Sequence, residues 1–202
     1  MGSKHIKGFG LFMRLIKNGH ELAGMGLHGT QGDVLRMTNR LRLVKSFRGL
    51  KLEGLTPRTT KGYDALMLVF LTHSALELYL RITRLKPVEI ELAHQSRQSA
   101  RLIAEVFDSD DRGGKLFDFL IARLDDPRLK GKLTACREKK CCNVHVLSSA
   151  IRHIFVHGHL TASPHHVRPE RVHRICQKVS EFLVRFMDDD FYRRMGRRIR
   201  TR

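Results

Sequence analysis

The chain has 202 residues, and 42% of them are apolar, which is enough for a hydrophobic core in one domain with an extension or in two small domains. Its 38 basic and 20 acidic residues give a net charge of +18, which predicts attraction to a polyanion, with RNA or DNA ahead of an anionic membrane surface or simple solubility. The four cysteines do not make a disulfide framework, and no apolar run reaches the ~18 residues of a membrane-spanning helix.

Residues 1–32 form a basic segment that contains half of the chain's 16 glycines. Because glycine at that density weakens a helix, this segment is predicted to be a mobile basic arm, with an RNA-contacting or docking segment as the alternative. Its apolar cluster is short and is interrupted by Arg14 and Lys17, so no secretory signal peptide is expected. Residues 1–3, Met-Gly-Ser, fit a native start and the remnant of an expression tag equally well.

The first helix is predicted over Asp33–Phe47, where apolar residues recur at helical spacing and basic residues fill much of the remaining surface. A basic amphipathic helix of this kind contacts RNA, lipid or an acidic partner, or is simply solvated. Gly49–Pro57 is predicted to be a linker. Residues 1–60 are therefore interpreted as a basic N-terminal extension with one amphipathic helix.

The second helix is predicted over Lys61–Leu85, and it is apolar on nearly every side, which is typical of the central helix of a bundle. Its polar residues follow one line, His73, Glu77 and Arg81, at positions i, i+4 and i+8. Side chains at this spacing stack on one face of a helix. The line is interpreted either as a stabilising stripe or as a support for a functional site on a neighbouring helix.

Three shorter segments follow, and their apolar residues also recur at helical spacing. The predicted helices are Val88–Phe107, Lys115–Leu124 and Thr134–Lys140, with a polar turn over Asp125–Lys132. The acidic loop between the first two suggests calcium, but it lacks the glycine and the terminal glutamate of a calcium-binding loop. Calcium is therefore not expected there.

The stretch Asn143–Pro164 carries the candidate chemistry. Apolar residues at helical spacing predict a helix that stops at Gly158, which places Arg152 in the penultimate turn and His157 at the C-terminal end. A guanidinium is a permanent cation suited to phosphate, and an imidazole titrates near neutral pH. Residues five apart on a helix point about 140° away from each other, so these two need a distorted turn or a second subunit to meet.

The last helix is predicted over Pro169–Met195, where it should pack against the helix of Arg152. A histidine-containing loop precedes it, and a basic tail follows it. The candidate RNA-binding residues in these segments are His159, Arg197, Arg198 and Arg200. Such residues are either solvated or neutralise phosphates, in which case each contact steepens the salt dependence of binding.

A metal site is the weaker interpretation of the cysteines and histidines. Cys141 and His145 are four residues apart, as in some helical zinc sites, and Cys136, Cys176 and several histidines are the candidates to complete a set of four ligands. No C-x2-C or H-x3-H spacing accompanies them, so unligated thiols are the preferred interpretation, and no metal or other cofactor is expected. The adjacent cysteines at 141 and 142 favour a reducing compartment, and hence the cytoplasm.

The segment Ile151–Gly158, with the sequence IRHIFVHG, resembles the R-x4-6-H motif of the HEPN superfamily, at the end of a late helix in a small helical chain. His153 fits the polar position after the arginine, and the resemblance covers roughly residues 61–195. It implies a helical bundle, a homodimer whose Arg152/His157 sites face each other, and metal-independent RNA cleavage, often by a toxin. His159 stands where some of these toxins carry a tyrosine that an antitoxin adenylylates, so that form of control is not implied.

The sequence thus predicts an all-α fold, with an HEPN-like helical bundle over residues 61–195 and a basic tail over residues 196–202. The leading hypothesis is a metal-independent endoribonuclease with RNA as its partner and Arg152, His157 and His153 as catalytic residues. The alternative is a non-catalytic module that binds RNA or a protein. A third hypothesis is a toxin-like effector that an antitoxin or another regulatory protein holds inactive.

Overall fold

The computed structural model describes residues 4–86, 96–138, 143–159, 161–164 and 167–197, with the backbone alone of residues 96–100, 107 and 197. Within these ranges the fold is all-α, with eight α-helices and no strand, so the predicted all-α class is confirmed. The helices are α1 Phe9–Lys17, α2 Gln31–Ser46, α3 Pro57–Thr83, α4 Ser96–Glu105, α5 Lys115–Arg123, α6 Pro127–Arg137, α7 Val144–Val156 and α8 Pro169–Arg197. A π-helical turn over Val106–Asp110 continues α4.

Helix α3 is the central element, and it packs against α2, α7 and α8. It begins at Pro57 because the Thr56 hydroxyl accepts a hydrogen bond from the Thr59 N–H and because proline is favourable at the first helical position. By length and composition α3 is apolar enough to cross a membrane, but 50% of that apolar window is buried inside the protein. A core helix passes the same test, so this property does not distinguish the two environments.

The N-terminal segment is folded onto the bundle, so its interpretation as a mobile arm is wrong where the structure describes it. Ile6 and Phe12 are buried, and the Phe12 ring packs edge-on against Phe191 of α8 with 5.8 Å between the ring centroids. Gly8 and Gly26 have φ angles of 88° and 66°, so these glycines turn the chain at helix ends instead of leaving it unstructured. Residues on both sides of position 60 share one hydrophobic core.

A cluster of polar side chains ties α3, α8 and the N-terminal segment together. The Tyr79 hydroxyl donates to the Asp190 carboxylate at 2.6 Å, and Arg194 Nε donates to the same oxygen at 2.7 Å. Arg194 also donates from Nη1 to the Gly26 carbonyl at 2.7 Å. Burial raises the pKa of Tyr79, so the phenol remains a donor. The half-buried Asp190 carboxylate is thus paired with donors from two helices, which offsets its partial loss of water.

The acidic turn after α4 uses two buried carboxylates to hold neighbouring helices. Asp111 accepts hydrogen bonds from the backbone N–H groups of Leu116 and Phe117 in the first turn of α5. Asp110 pairs with Arg174 at 2.6 Å and with Lys178 at 2.7 Å, both on α8. These contacts give the turn a structural role.

Helix boundaries differ from the predicted ones where proline starts a helix. The polar turn predicted over Asp125–Lys132 is wrong, because α6 begins at Pro127. Here the Asp126 carboxylate accepts the backbone N–H of Arg128 at 2.9 Å and so caps the helix. Helix α3 begins before the predicted Lys61 for the same kind of reason. Of the predicted helix Val88–Phe107, residues 88–95 lie outside the described residues.

Candidate functional site

Helix α7 ends in a glycine turn that fixes the position of the candidate residues. The His159 N–H donates to the Ile154 carbonyl at 3.0 Å, and the Gly158 N–H donates to the Phe155 carbonyl at 3.1 Å. Gly158 has a φ of 74°, in the left-handed region. Together these features make a Schellman motif, for which glycine is the usual residue. The predicted stop at Gly158 is confirmed.

Arg152 lies on the side of α7 that faces α3, where its guanidinium meets Glu77. The distance from Arg152 Nη2 to Glu77 Oε2 is 3.4 Å, and the two side chains are 35% and 47% exposed, so water screens this ion pair. The Nε–H of Arg152 is buried and has no hydrogen-bond partner in the described part of the chain. A buried donor without a partner costs about 1–3 kcal/mol, so the binding of a ligand acceptor at this N–H would be favourable.

Two neutral histidines lie between α3 and α7 near Arg152. The Ser148 hydroxyl donates to the His145 carbonyl at 2.9 Å, so its oxygen accepts the Nδ1–H of His73 at 3.0 Å. The His73 and His145 rings lie 5.4 Å apart between centroids. Burial, repulsion by the protonated form of His145 and repulsion by Arg152 together lower the pKa of His73 to about 3. Burial lowers the pKa of His145 to about 4, so both rings are neutral at pH 7.

His157 lies at the exposed end of α7 and contacts His153. The ring centroids of these two histidines are 4.4 Å apart, with an angle of 48° between the ring planes. His153 is half-buried and shares a cavity with Arg152, whereas His157 stays outside the lining of that cavity in the described part of the chain. His157 thus lies outside the cavity that Arg152 lines, and His153 lines this cavity and also contacts the ring of His157.

The cavity beside Arg152 has a volume of about 520 Å³ and opens between α3 and α7. Its lining includes the three residues that were predicted to support the site. The lining residues are His73, Glu77, Leu80, Arg81, Leu85, Leu129, His145, Ser149, Arg152 and His153. Arg81 also approaches the first turn of α2, with its Nη2 3.8 Å from the Asp33 carboxylate.

Sequence reasoning gave no role in this site to two polar members of the cavity, His145 and Ser149. The Ser149 hydroxyl and the His145 ring are within hydrogen-bond distance, with 3.4 Å between Oγ and Nδ1. The sequence contained a signal for these two residues. Residues at i, i+4 and i+7 of a helix share one face, and His145, Ser149 and Arg152 have that spacing. His145 was predicted only as a possible zinc ligand, together with Cys141.

Several predicted site residues are not tested by this geometry. Arg198 and Arg200 lie outside the described residues, and Arg197 ends α8 with only its backbone described. His159 is exposed just after α7. In the part of the chain that the structure describes, no group of three or more His, Cys, Asp or Glu side chains is arranged to hold a metal ion. Cys176 is buried, and burial raises the pKa of its thiol to about 12.

Comparison of the chain with protein-family models, with curated proteins and with solved structures found no match. The resemblance of the segment IRHIFVHG to the HEPN motif therefore stays a prediction. The functional proposal depends on the geometry around Arg152 and on the charge of the chain.

Proposed function

We propose that the protein is a metal-independent endoribonuclease of HEPN type, in which Arg152, His153 and His157 act on an RNA phosphodiester at the end of α7. The observation that carries the proposal is that these three side chains are neighbours, with His153 next to both of the others. The Arg152 guanidinium lines a cavity of about 520 Å³, His153 lines it too, and His157 is in ring contact with His153. The net charge of +18 supports RNA as the partner.

In the proposed reaction, the ribose 2′-hydroxyl attacks the adjacent phosphorus. An O2′–P bond forms and the P–O5′ bond breaks, which leaves a cyclic phosphate and a 5′-hydroxyl. The exposed imidazole of His157 takes the 2′ proton as general base or gives a proton to the leaving oxygen as general acid, a role worth roughly 10²–10⁴-fold in rate. His73 and His145 are assigned no proton transfer, because their pKa values of about 3 and 4 keep them neutral.

Arg152 is the proposed electrostatic group of the site. Its guanidinium would donate to the non-bridging phosphate oxygens, where negative charge builds up in the transition state. The buried Nε–H without a partner supplies a donor that the fold leaves unused. His153, between the other two residues, would hold the phosphate or the neighbouring ribose.

The proposal includes a homodimer, because Arg152 and His157 point to different sides of α7. Val156, next to His157, is 54% exposed and offers an apolar contact for a second subunit. Light scattering of the purified chain measures this assembly, and a monomer at the concentrations that cleave RNA would contradict it.

The proposal has two further parts. They are an antitoxin or other regulatory protein as a partner, and a location in the cytoplasm.

The competing function is a non-catalytic module that binds RNA or a protein. The contact between Glu77 and Arg152 at 3.4 Å favours it, because it gives the guanidinium a structural partner inside the chain. Such a module would bind RNA without changing its length.

Incubation of end-labelled single-stranded RNA with the protein in EDTA distinguishes the two functions. We expect the wild type to cleave, and Arg152→Ala and His157→Ala to lose at least about 100-fold in rate. Arg42→Ala, which removes an exposed arginine of α2, is the matched control and should cleave like the wild type. Circular dichroism checks that each variant folds. Cleavage that persists in His157→Ala would overturn the proposal, and binding without cleavage supports the module.

A further inference from the structure

A second cavity lies on the opposite face of α3 from the Arg152 site. Its α3 residues are Asp64 and Leu68, and Asp64 precedes His73 by nine positions, a rotation of about 180° at ~100° per residue. The cavity has a volume of about 750 Å³ between α3, α8 and the end of α2. Small-molecule sites commonly have volumes of about 300–1,000 Å³, so this one is large enough for a drug-sized ligand.

One wall of this cavity contains a buried hydroxyl without a partner. Ser180 on α8 lines the cavity and is 2% exposed, and its Oγ has no hydrogen-bond partner in the described part of the chain. Serine hydroxyls on helices usually donate to a backbone carbonyl in the preceding turn. A buried polar group left unpaired calls for an explanation, and an acceptor atom of a bound ligand supplies one.

The aspartates at one side of the cavity are already engaged by the chain itself. Asp188 accepts from Lys45 Nζ at 2.7 Å and from the Lys7 backbone N–H at 2.9 Å. Asp189 pairs with Lys7 Nζ at 3.2 Å. These negative charges are therefore neutralised within the fold and do not select a cationic ligand.

The other two carboxylates of the cavity also have partners. Asp64 accepts the Leu50 backbone N–H at 2.5 Å, and Glu181 accepts from Gln177 Nε2 at 2.9 Å. The carboxylates of this cavity are thus hydrogen-bonded in the structure. Because the donors to Asp64 and Glu181 are neutral groups, these two carboxylates keep their charge, and what remains for a ligand is the set of unused donors on the basic side chains.

Two guanidinium groups of the cavity have no carboxylate partner among the described residues, those of Arg48 and Arg185. Arg48 donates from Nη1 to the carbonyls of Lys45 and Phe47, which leaves its other donors unused. Arg185 makes no hydrogen bond or ion pair in the described part of the chain. Forked donors of this type recognise carboxylate, sulfonate or phosphate groups.

Apart from His173, Gln177 and Gly49, the rest of the lining is apolar. Val44 is buried, and Phe47, Leu68 and Val184 are half-buried around the same space. An apolar wall with a few polar groups is the usual composition of a site for an organic ligand, in which the apolar area gives affinity and the polar groups give orientation.

We propose that this cavity binds a small organic anion with an apolar, ring-containing body. The body packs against Phe47, Leu68 and Val184, the anionic group lies at Arg48 and Arg185, and the Ser180 hydroxyl donates to an acceptor of the ligand. The site does not depend on the proposed function of Arg152, since it lies on the other face of α3.

A fluorescence titration of the full-length chain with anilinonaphthalene sulfonate, an aromatic organic anion, tests this site. We expect saturable binding of one molecule per chain. Arg185→Gln should weaken it about tenfold or more, the usual effect of losing a charge-assisted hydrogen bond. Arg42→Gln, which removes the same charge from an exposed position on α2 outside the cavity, should bind like the wild type.

Ser180→Ala gives the sharpest result, because it separates ligand binding from folding. Removing a buried hydroxyl that has no partner should leave the thermal stability of the ligand-free protein equal to or above that of the wild type. The same change should weaken the binding of the anion several-fold. Binding that does not saturate, or that is unchanged in both Ser180→Ala and Arg185→Gln, would overturn the proposal. An equal loss in Arg42→Gln would also overturn it, by showing attraction to net charge alone.

Discussion

Burial divides the histidines around α7 into two groups with different chemistry. His73 and His145 lie between α3 and α7, where burial lowers their pKa values to about 3 and about 4. They act there as neutral hydrogen-bonding groups. His153 is half-buried and His157 is exposed, so these two reach solvent and a substrate. Position relative to the core therefore decides which imidazoles are candidates for proton transfer.

Acid should destabilise the protein through its buried histidines. The pKa of His73 is about 3 in the fold against 6.5 for a histidine in the unfolded chain, so the stabilisation is complete above pH 6.5 and is lost as the pH falls towards 3. Each such histidine contributes a slope of roughly 1.4 kcal/mol per pH unit within its window, because the unfolded chain binds the proton first. Urea unfolding from pH 7 to pH 4 measures the slope.

His73→Gln isolates the part of this slope that belongs to one side chain. Glutamine keeps a hydrogen-bonding group near Ser148 but does not titrate. We expect a flatter dependence of the unfolding free energy on pH in this variant, although the variant itself is less stable at pH 7. A slope equal to that of the wild type would show that His73 is not the titrating group.

Glu77 should limit the affinity of the Arg152 site for RNA. Glu77→Gln removes a carboxylate that lies 3.4 Å from the guanidinium. We expect RNA to bind a few-fold more tightly, since a half-exposed ion pair is worth roughly 0.2–1 kcal/mol. Fluorescence anisotropy with 2′-O-methyl RNA, which does not undergo the cleavage, measures the affinity.

The matched control for this change is Glu105→Gln. Glu105 pairs with Arg101 on α4 at 3.2 Å, so its replacement changes the net charge equally at a different place. If both variants gained affinity to the same extent, the effect would come from overall charge and not from the Arg152 site.

At the scale of the helices, the capping residues determine where each element starts and stops. Thr56 with Pro57 starts α3, Asp126 with Pro127 starts α6, and Gly158 stops α7. The stop of α7 has a functional consequence. It leaves His157 as the last residue before the left-handed turn, so its ring lies at the exposed end of the helix.

Two glycine-to-alanine changes should have opposite effects on stability. Gly158 has a φ of 74° and open space around it, so Gly158→Ala meets backbone strain alone and should cost about 1–2 kcal/mol. Gly131 is inside α6, also with open space, so Gly131→Ala should stabilise by about 0.5–1 kcal/mol. Urea unfolding of both variants measures the difference, and a stabilising Gly158→Ala would contradict the glycine turn.

At the scale of the whole molecule, the two ends of the chain meet in one core. Phe12 of α1 contacts Phe191 of α8, and Lys45 at the end of α2 pairs with Asp188 at 2.7 Å. The N-terminal segment therefore contributes to the stability of the bundle. It also forms one side of the 750 Å³ cavity, through Lys7 and the end of α2.

Phe12→Ala tests whether the N-terminal segment unfolds together with the bundle. Phe12 is fully buried, so its truncation should cost about 3–5 kcal/mol in one cooperative transition. Met13→Ala is the matched control, because Met13 is 38% exposed and its loss should change stability by about 0.5 kcal/mol or less. A separate early transition with an unchanged main transition would show that α1 unfolds independently.

The sequence by itself determined the features that depend on local physics. Apolar spacing predicted the helical class, and the all-round apolar surface of residues 61–85 predicted a central helix, which α3 is. The glycine after the last apolar residue predicted the end of α7. Thr-Pro and Asp-Pro are capping sequences that also mark the starts of α3 and α6, but the segments that contain them, Gly49–Pro57 and Asp125–Lys132, were predicted to be a linker and a polar turn.

The tertiary structure alone decided the features that depend on distant partners. Glycine density argued against order in residues 1–32, and the burial of Phe12 against Phe191 overrides that local preference. The neutrality of His73 requires desolvation by α7, which no local pattern around residue 73 encodes. The same holds for Arg152, whose spacing from His157 is visible in the sequence, while its contact with Glu77 exists only because α3 and α7 pack together. Local preferences act within a few residues, whereas burial and charge pairing act between residues that only folding brings into contact.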